Sequence, residues 1–148
     1  SYLPSEINAA FLWAQLQNAE SISERRMEIW DRYHVGFADL DHEDKLRRPI
    51  IPAECGHNAH MYYLLLPDVM CRDALLAHLN ASGINAIFHF IPLHSSPAGQ
   101  RFGRAHDEMI ITEEISNRLL RLPLWADMEE DQVERVISEV HTGVKAGL

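Results

Sequence analysis

The sequence predicts an α/β domain in which a short sheet is covered by helices. Three observations predict it. Several segments carry apolar residues at helical spacing. Residues 58–91 read as strand, helix, strand. The chain has 148 residues, of which 47% are apolar. That length suits one domain and buries roughly 68–70% of its extended surface, so one core is within reach.

The first predicted helix runs over 6–19, with Pro4 and Ser5 as its start and cap. Ile7, Phe11, Leu12, Trp13 and Leu16 go nearly all round it rather than forming a stripe. A helix apolar on every side expects burial on every side. The second helix is expected over 21–40, opened by a capping box of Ser21 and Glu24. Ile22, Ile29, Trp30, Tyr33, Phe37 and Leu40 share one face of it. Pro49–Pro52 suits a short edge strand, where proline is tolerated.

Strand 58–66 has apolar residues on both faces and expects cover on both. Helix 70–82 turns Ala74, Leu75 and Leu79 inward and stops at Gly83. Strand 84–91 places Ile84, Ala86, Phe88 and Phe90 on one face. A turn-rich loop, 92–104, follows. A short helix over 112–118 leads into a strand at 119–124. The last helix, 128–144, has Asp127 and Glu130 as a capping pair and a stripe of Val133, Val136, Ile137, Val140 and Val144.

Thirteen basic and twenty-two acidic residues give a net charge of −9. That disfavours nucleic acid or an anionic membrane as a broad partner. No apolar run approaches the roughly 20 residues of a membrane span. The N-terminus has neither the basic nor the apolar region of a signal peptide, and it lacks an initiator Met. Cys55 and Cys71 stand alone, read as inert buried thiols, and fit a reducing cytoplasm. Only two lysines occur, Lys45 and Lys145, so a reaction needing a buried amine has few candidates.

Nine histidines invite a metal reading through His57, His60, His89 and His94. Residues three apart on a strand point to opposite faces, and no HExxH occurs, so no metal ligand is assigned. No nucleophile elbow or phosphate-cradling glycine loop is present. The best local candidate is the loop from His89 to Arg104. It offers His94, Ser95, Ser96, Arg101 and Arg104 as donors for an anion. The same residues also suit a solvated turn with rim ion pairs, and the local chemistry leaves both open.

Four segments carry a resemblance: Tyr2-Leu-Pro-Ser-Glu-Ile-Asn-Ala-Ala-Phe-Leu-Trp-Ala-Gln-Leu16, Asn58-Ala-His-Met-Tyr-Tyr63, His89-Phe-Ile-Pro-Leu-His94 and Leu120-Arg-Leu-Pro-Leu124. In this order they resemble the C-terminal portion of the DegT/DnrJ/StrS sugar-nucleotide aminotransferases, which are pyridoxal-phosphate enzymes. The resemblance implies the small C-terminal domain of a fold-type I transferase, a two-layer α+β unit with a short, mainly antiparallel sheet. It implies an interdomain helix over 1–20 and the small domain over 21–148. It further implies amino transfer from glutamate to the 4-keto carbon of a nucleotide-linked sugar.

The family's cofactor lysine lies upstream of the matched segment, and neither Lys45 nor Lys145 resembles a substitute. The expectation is therefore no catalytic residue, no bound pyridoxal phosphate and no transaminase activity in this chain alone. The implied partners are an N-terminal cofactor-binding domain, a second copy in a homodimer and a nucleotide-sugar substrate. In the family the segment commonly opens Gly-x-Asn-Tyr-Arg, whose Asn reaches the cofactor phosphate. In that register Ser1 takes the Asn position, Tyr2 keeps the Tyr and Leu3 replaces the Arg. The resemblance implies substrate-side positions for Tyr2, His60, His89 and His94, and Arg101 joins them from the anion reading of the loop. Two alternatives stand beside it: a free-standing ligand- or protein-binding module, and a histidine-based metal enzyme.

Overall fold

Tyr33 sits at the centre of the fold, fully buried between two layers. In the computed structural model, which describes residues 2–146, it lies on helix α2 (Ala19–Gly36). The apolar face of α2 carries Ile29, Trp30 and Tyr33 inward, and Phe37 and Leu40 follow as the chain turns into the short helix α3 (Ala38–His42). Before it comes helix α1 (Glu6–Leu16), capped by Ser5, whose hydroxyl accepts from the Asn8 N–H at 3.3 Å.

Both N-terminal helices differ from expectation in their ends. The first stops at Leu16, and α2 begins at Ala19, two residues before the expected capping box. Ser21 cannot cap, because its hydroxyl donates to the Asn18 carbonyl at 3.0 Å inside the first turn. The expected single helix to Leu40 breaks after Gly36. Pro49–Pro52 forms no strand. The sheet edge is met instead by Arg47, which exchanges two backbone hydrogen bonds with Leu65.

The sheet has three strands: β1 (Tyr62–Leu65), β2 (Ile87–Phe88) and β3 (Leu119–Leu122), with β3 in the middle. Both neighbours run antiparallel to it, with Tyr62 opposite Leu122, Leu64 opposite Leu120 and Ile87 opposite Arg121. The strands are shorter than the sequence suggests. Ile84 and Ala86 are buried as expected, but Phe88 and Phe90 are exposed, so 84–91 pairs for only two residues.

Helix α4 (Val69–Ala81) joins β1 to β2 and ends at Gly83, whose φ of +74° is the left-handed conformation that glycine adopts freely. Its Leu75 and Leu79 are buried, while Ala74 is exposed. Helix α7 (Glu130–Lys145) follows β3 and buries Val133, Val136, Val140 and Val144 against α2 and α4. Its cap is Glu129, whose N–H donates to the Gln132 side chain at 2.9 Å, rather than the expected Asp127–Glu130 pair. One face of the sheet, with Tyr62, Leu64, Leu120 and Leu122, closes on this helical layer. Leu65 is also buried, outside that main cluster, so β1 is covered on both sides. This is the two-layer α+β arrangement with an antiparallel sheet.

No residue of α1 is buried. Ile7, Phe11, Trp13 and Leu16 are 60–82% exposed. Apolar patches beyond a few hundred Å² drive association. The isolated chain is expected to self-associate through 6–16, with sedimentation coefficients rising with concentration. A monomer across a hundredfold concentration range would count against this.

Candidate functional site

The loop after β2 is built on a proline and a glycine. Ser96 has extended dihedrals and caps helix α5 (Pro97–Phe102), with Pro97 at its first position. The Ser96 hydroxyl accepts from the Gly99 N–H at 3.0 Å and donates to the Leu93 carbonyl at 2.8 Å. The Ser95 hydroxyl donates to the Pro92 carbonyl at 3.3 Å. Both serines are therefore committed to holding the loop's own shape, which corrects their reading as anion donors. The turn-rich sequence hid α5 because Ser-Pro at a helix start also reads as a turn.

His94 is the loop's anchored side chain. Its Nε2 lies 2.9 Å from Glu113 Oε1 on helix α6 (Ile110–Arg118), and both side chains are largely shielded. His89 and the loop's Phe90, Ile91 and Leu93 face α6 across a cavity of about 470 Å³, whose far wall is Ile111, Ile115 and Leu119. His89 Nδ1 is shut off from solvent with no hydrogen-bond partner among the described residues. The site is thus an apolar cleft with His89 on one wall, and His94 stands beside it, within ion-pair distance of Glu113. Such a cleft suits a ligand with an apolar body and a few polar groups.

The other expected site residues lie elsewhere. His60 is exposed and lines a second cavity, of about 280 Å³, with Arg121 and Trp125. Its backbone is fixed by Arg26, whose guanidinium donates to the carbonyls of Ala59 and His60 at 2.9 and 2.6 Å. Tyr2 is fully exposed ahead of α1. Arg101 is exposed on α5, its guanidinium carbon 4.9 Å from the Phe102 ring centre. Ser1 lies outside the described residues. Glu113 and Arg121 escaped sequence reasoning, since each meets its site only through tertiary packing. Cys55 is exposed, not buried, and Cys71 is half-buried. Desolvation is the main reason the Cys71 thiol is raised above its ordinary pKa. Among the described residues no three of His, Cys, Asp and Glu gather in a way that could hold a metal. No helix among them is long and apolar enough to cross a membrane.

The sequence model of the DegT/DnrJ/EryC1/StrS aminotransferase family matches residues 3–141. The chain belongs to this family. Solved members share its fold. The aminotransferase TlmJ from Streptoalloteichus hindustanus is 30% identical, with a TM-score of 0.79 over 90% of this chain and 34% of its own. DesV from S. venezuelae, solved with a ketimine intermediate, is 27% identical, with a TM-score of 0.82 over 93% of this chain and 36% of its own. A DegT/DnrJ/EryC1/StrS aminotransferase from Brucella abortus is 26% identical, with a TM-score of 0.76 over 90% and 34%. This DegT/DnrJ/EryC1/StrS chain spans about a third of the length of these relatives.

Pyridoxal phosphate, the family's cofactor, is held through a lysine amine. Here Lys45 is exposed in the turn after α3, and Lys145 is exposed in the last turn of α7. Neither lines the two cavities described above. Among the described residues, therefore, neither cavity offers the lysine amine that the cofactor requires.

Proposed function

We propose that this DegT/DnrJ/EryC1/StrS chain is the C-terminal portion of a pyridoxal-phosphate aminotransferase acting on a nucleotide sugar. In this reading the enzyme moves an amino group from glutamate to the 4-keto carbon of a dTDP-4-keto-6-deoxyhexose, in the manner of dTDP-4-amino-4,6-dideoxygalactose transaminase. The product is a precursor of surface polysaccharide. The observation that supports it is the match over 3–141 against relatives roughly three times as long. The resemblance of the four segments to that transaminase type supports the particular sugar.

Residues 1–20 would link the small domain to an N-terminal cofactor domain, which would cover the exposed face of α1. The cleft between the His89–Leu93 loop and α6 would face the sugar. Its apolar wall suits a deoxy carbon, and His94, beside the cleft with its Nε2 toward Glu113, would offer its other ring nitrogen to a hydroxyl or phosphate oxygen. His89 and Arg101 would act from the same loop, Tyr2 and Ser1 from the linker end, Ser1 toward the cofactor phosphate. The enzyme would work in the cytoplasm as a homodimer, with no nucleic-acid partner.

The chain alone is expected to be inactive. The test compares it with a longer form that includes the upstream reading frame. The long form should take up pyridoxal phosphate with its visible absorbance and convert glutamate to 2-oxoglutarate in the presence of the keto sugar. The 148-residue chain should do neither. Turnover by the short chain, or an upstream frame lacking a cofactor lysine, would defeat the reading.

A further inference from the structure

Arg121 is a half-buried cation without a counter-charge among the described residues. It stands on the central strand β3 between Leu120 and Leu122, so it leaves the sheet on the side away from the main core. Its Nε is closed to solvent and has no hydrogen-bond partner, and its guanidinium makes no ion pair among the described residues. The other half-buried arginines are all engaged. Arg25, Arg32, Arg48, Arg72 and Arg118 each meet a carboxylate, and Arg26 meets backbone carbonyls. In a chain with a net charge of −9, a partner for Arg121 would be easy to supply. Its Nε–H is the part withdrawn from water, and a buried donor left without an acceptor is costly.

The space beside Arg121 is the 280 Å³ cavity, and no carboxylate lines it. His60 and Asn85 stand on its wall, and neither side chain has a hydrogen-bond partner among the described residues. Ile87, Leu124 and Trp125 supply apolar wall. The backbone of His60 is fixed by Arg26, so one rim of the cavity is rigid.

We propose that Arg121, framed by His60, Asn85 and Trp125, forms a binding site for the carboxylate of a small organic acid. A guanidinium presents two parallel N–H donors that match a planar carboxylate. A single arginine balances one negative charge, which fits a carboxylate better than a phosphate dianion or a diphosphate. The apolar wall suits an aliphatic stem. That the acid is the amino donor rests on the function proposed above. Carboxylate binding does not, and it needs neither cofactor nor turnover.

The test is an NMR titration of the 148-residue chain, following the Arg121 Nε–H signal. Sodium glutamate, sodium glutarate and inorganic phosphate are added separately at matched ionic strength. Glutamate or glutarate should shift that signal saturably in the millimolar range, with phosphate at least tenfold weaker. Arg121→Gln should abolish saturation, and Arg121→Lys, which keeps the charge but not the fork, should weaken it about tenfold. Intact far-ultraviolet circular dichroism of the lysine variant keeps the comparison valid if the glutamine variant unfolds. Phosphate binding as tight as glutarate would overturn the carboxylate assignment. Absence of saturation with every anion, or saturation undiminished in the lysine variant, would overturn the site. Carboxylate binding by a protein that fails the transaminase test would leave this site standing and sink only the proposed function.

Discussion

Replacing Tyr33 with alanine is expected to cost about 3–5 kcal/mol of folding stability, as for other large aromatic deletions from cores. The ring is fully buried and packs on Phe37 and Tyr62, with centroids 5.9 and 5.3 Å away. Its hydroxyl donates to the Pro123 carbonyl at 2.9 Å, joining α2 to the end of β3. Burial pushes the phenol well above its ordinary pKa, so it stays a donor at any physiological pH. Typical domains are stable by about 5–15 kcal/mol, so this single change consumes a large share. Tyr33→Phe separates the two contributions. It keeps the ring and leaves one carbonyl unpaired, for about 1–3 kcal/mol. Urea unfolding of both variants measures the difference. A loss below 1 kcal/mol for the alanine variant would contradict the position of the ring.

Gly99→Ala acts on the loop instead of the core. A β-carbon at position 99 would stand 1.5 Å from the Leu93 carbonyl oxygen, and 2.6 Å from its carbon. Backbone blocks it, so no rotamer change relieves the clash. The loop must open, parting Leu93 from Ser96 and moving His94 away from Glu113. Because no residue of α5 is buried, global stability should fall by less than about 1 kcal/mol. Local order should suffer far more. The amides of Gly99, Gln100 and Gly103 should lose hydrogen-exchange protection by roughly tenfold or more, since each 1.4 kcal/mol of local opening energy is a factor of ten. Unchanged exchange at all three amides would show that the loop does not depend on this contact. On the function proposed above, the same change in the longer form should impair sugar binding while leaving cofactor uptake intact.

Much of the fold was legible, and the reasons are local. Ser5 caps a helix through its own hydroxyl, Gly83 takes the conformation it alone adopts cheaply, and the valines of α7 repeat at helical spacing. The failures also have physical causes. The break between α1 and α2 carries no proline or glycine to mark it. Strand 84–91 reads as long because Phe88 and Phe90 alternate correctly, yet exposure rather than burial governs both. The site was only half legible. His89 and His94 share one loop and were visible in sequence. Glu113 comes from a helix nineteen residues further on. Arg121 drew no notice within the predicted strand 119–124, because its want of a partner exists only in three dimensions.

The strand order β1-β3-β2 bears on how the chain is made. β1 and β2 run in the same direction, and the slot between them, about 9–10 Å wide, belongs to β3. A ribosome delivers the two flanking strands first and residues 119–122 only afterwards. Until then neither flanking strand has its neighbour, and two edges stand open. The sheet closes in one late step, with the valine face of α7 arriving directly behind it. A nascent chain stalled before Leu119 should therefore be protease-sensitive throughout, and one released after Val144 should be protected nearly all at once.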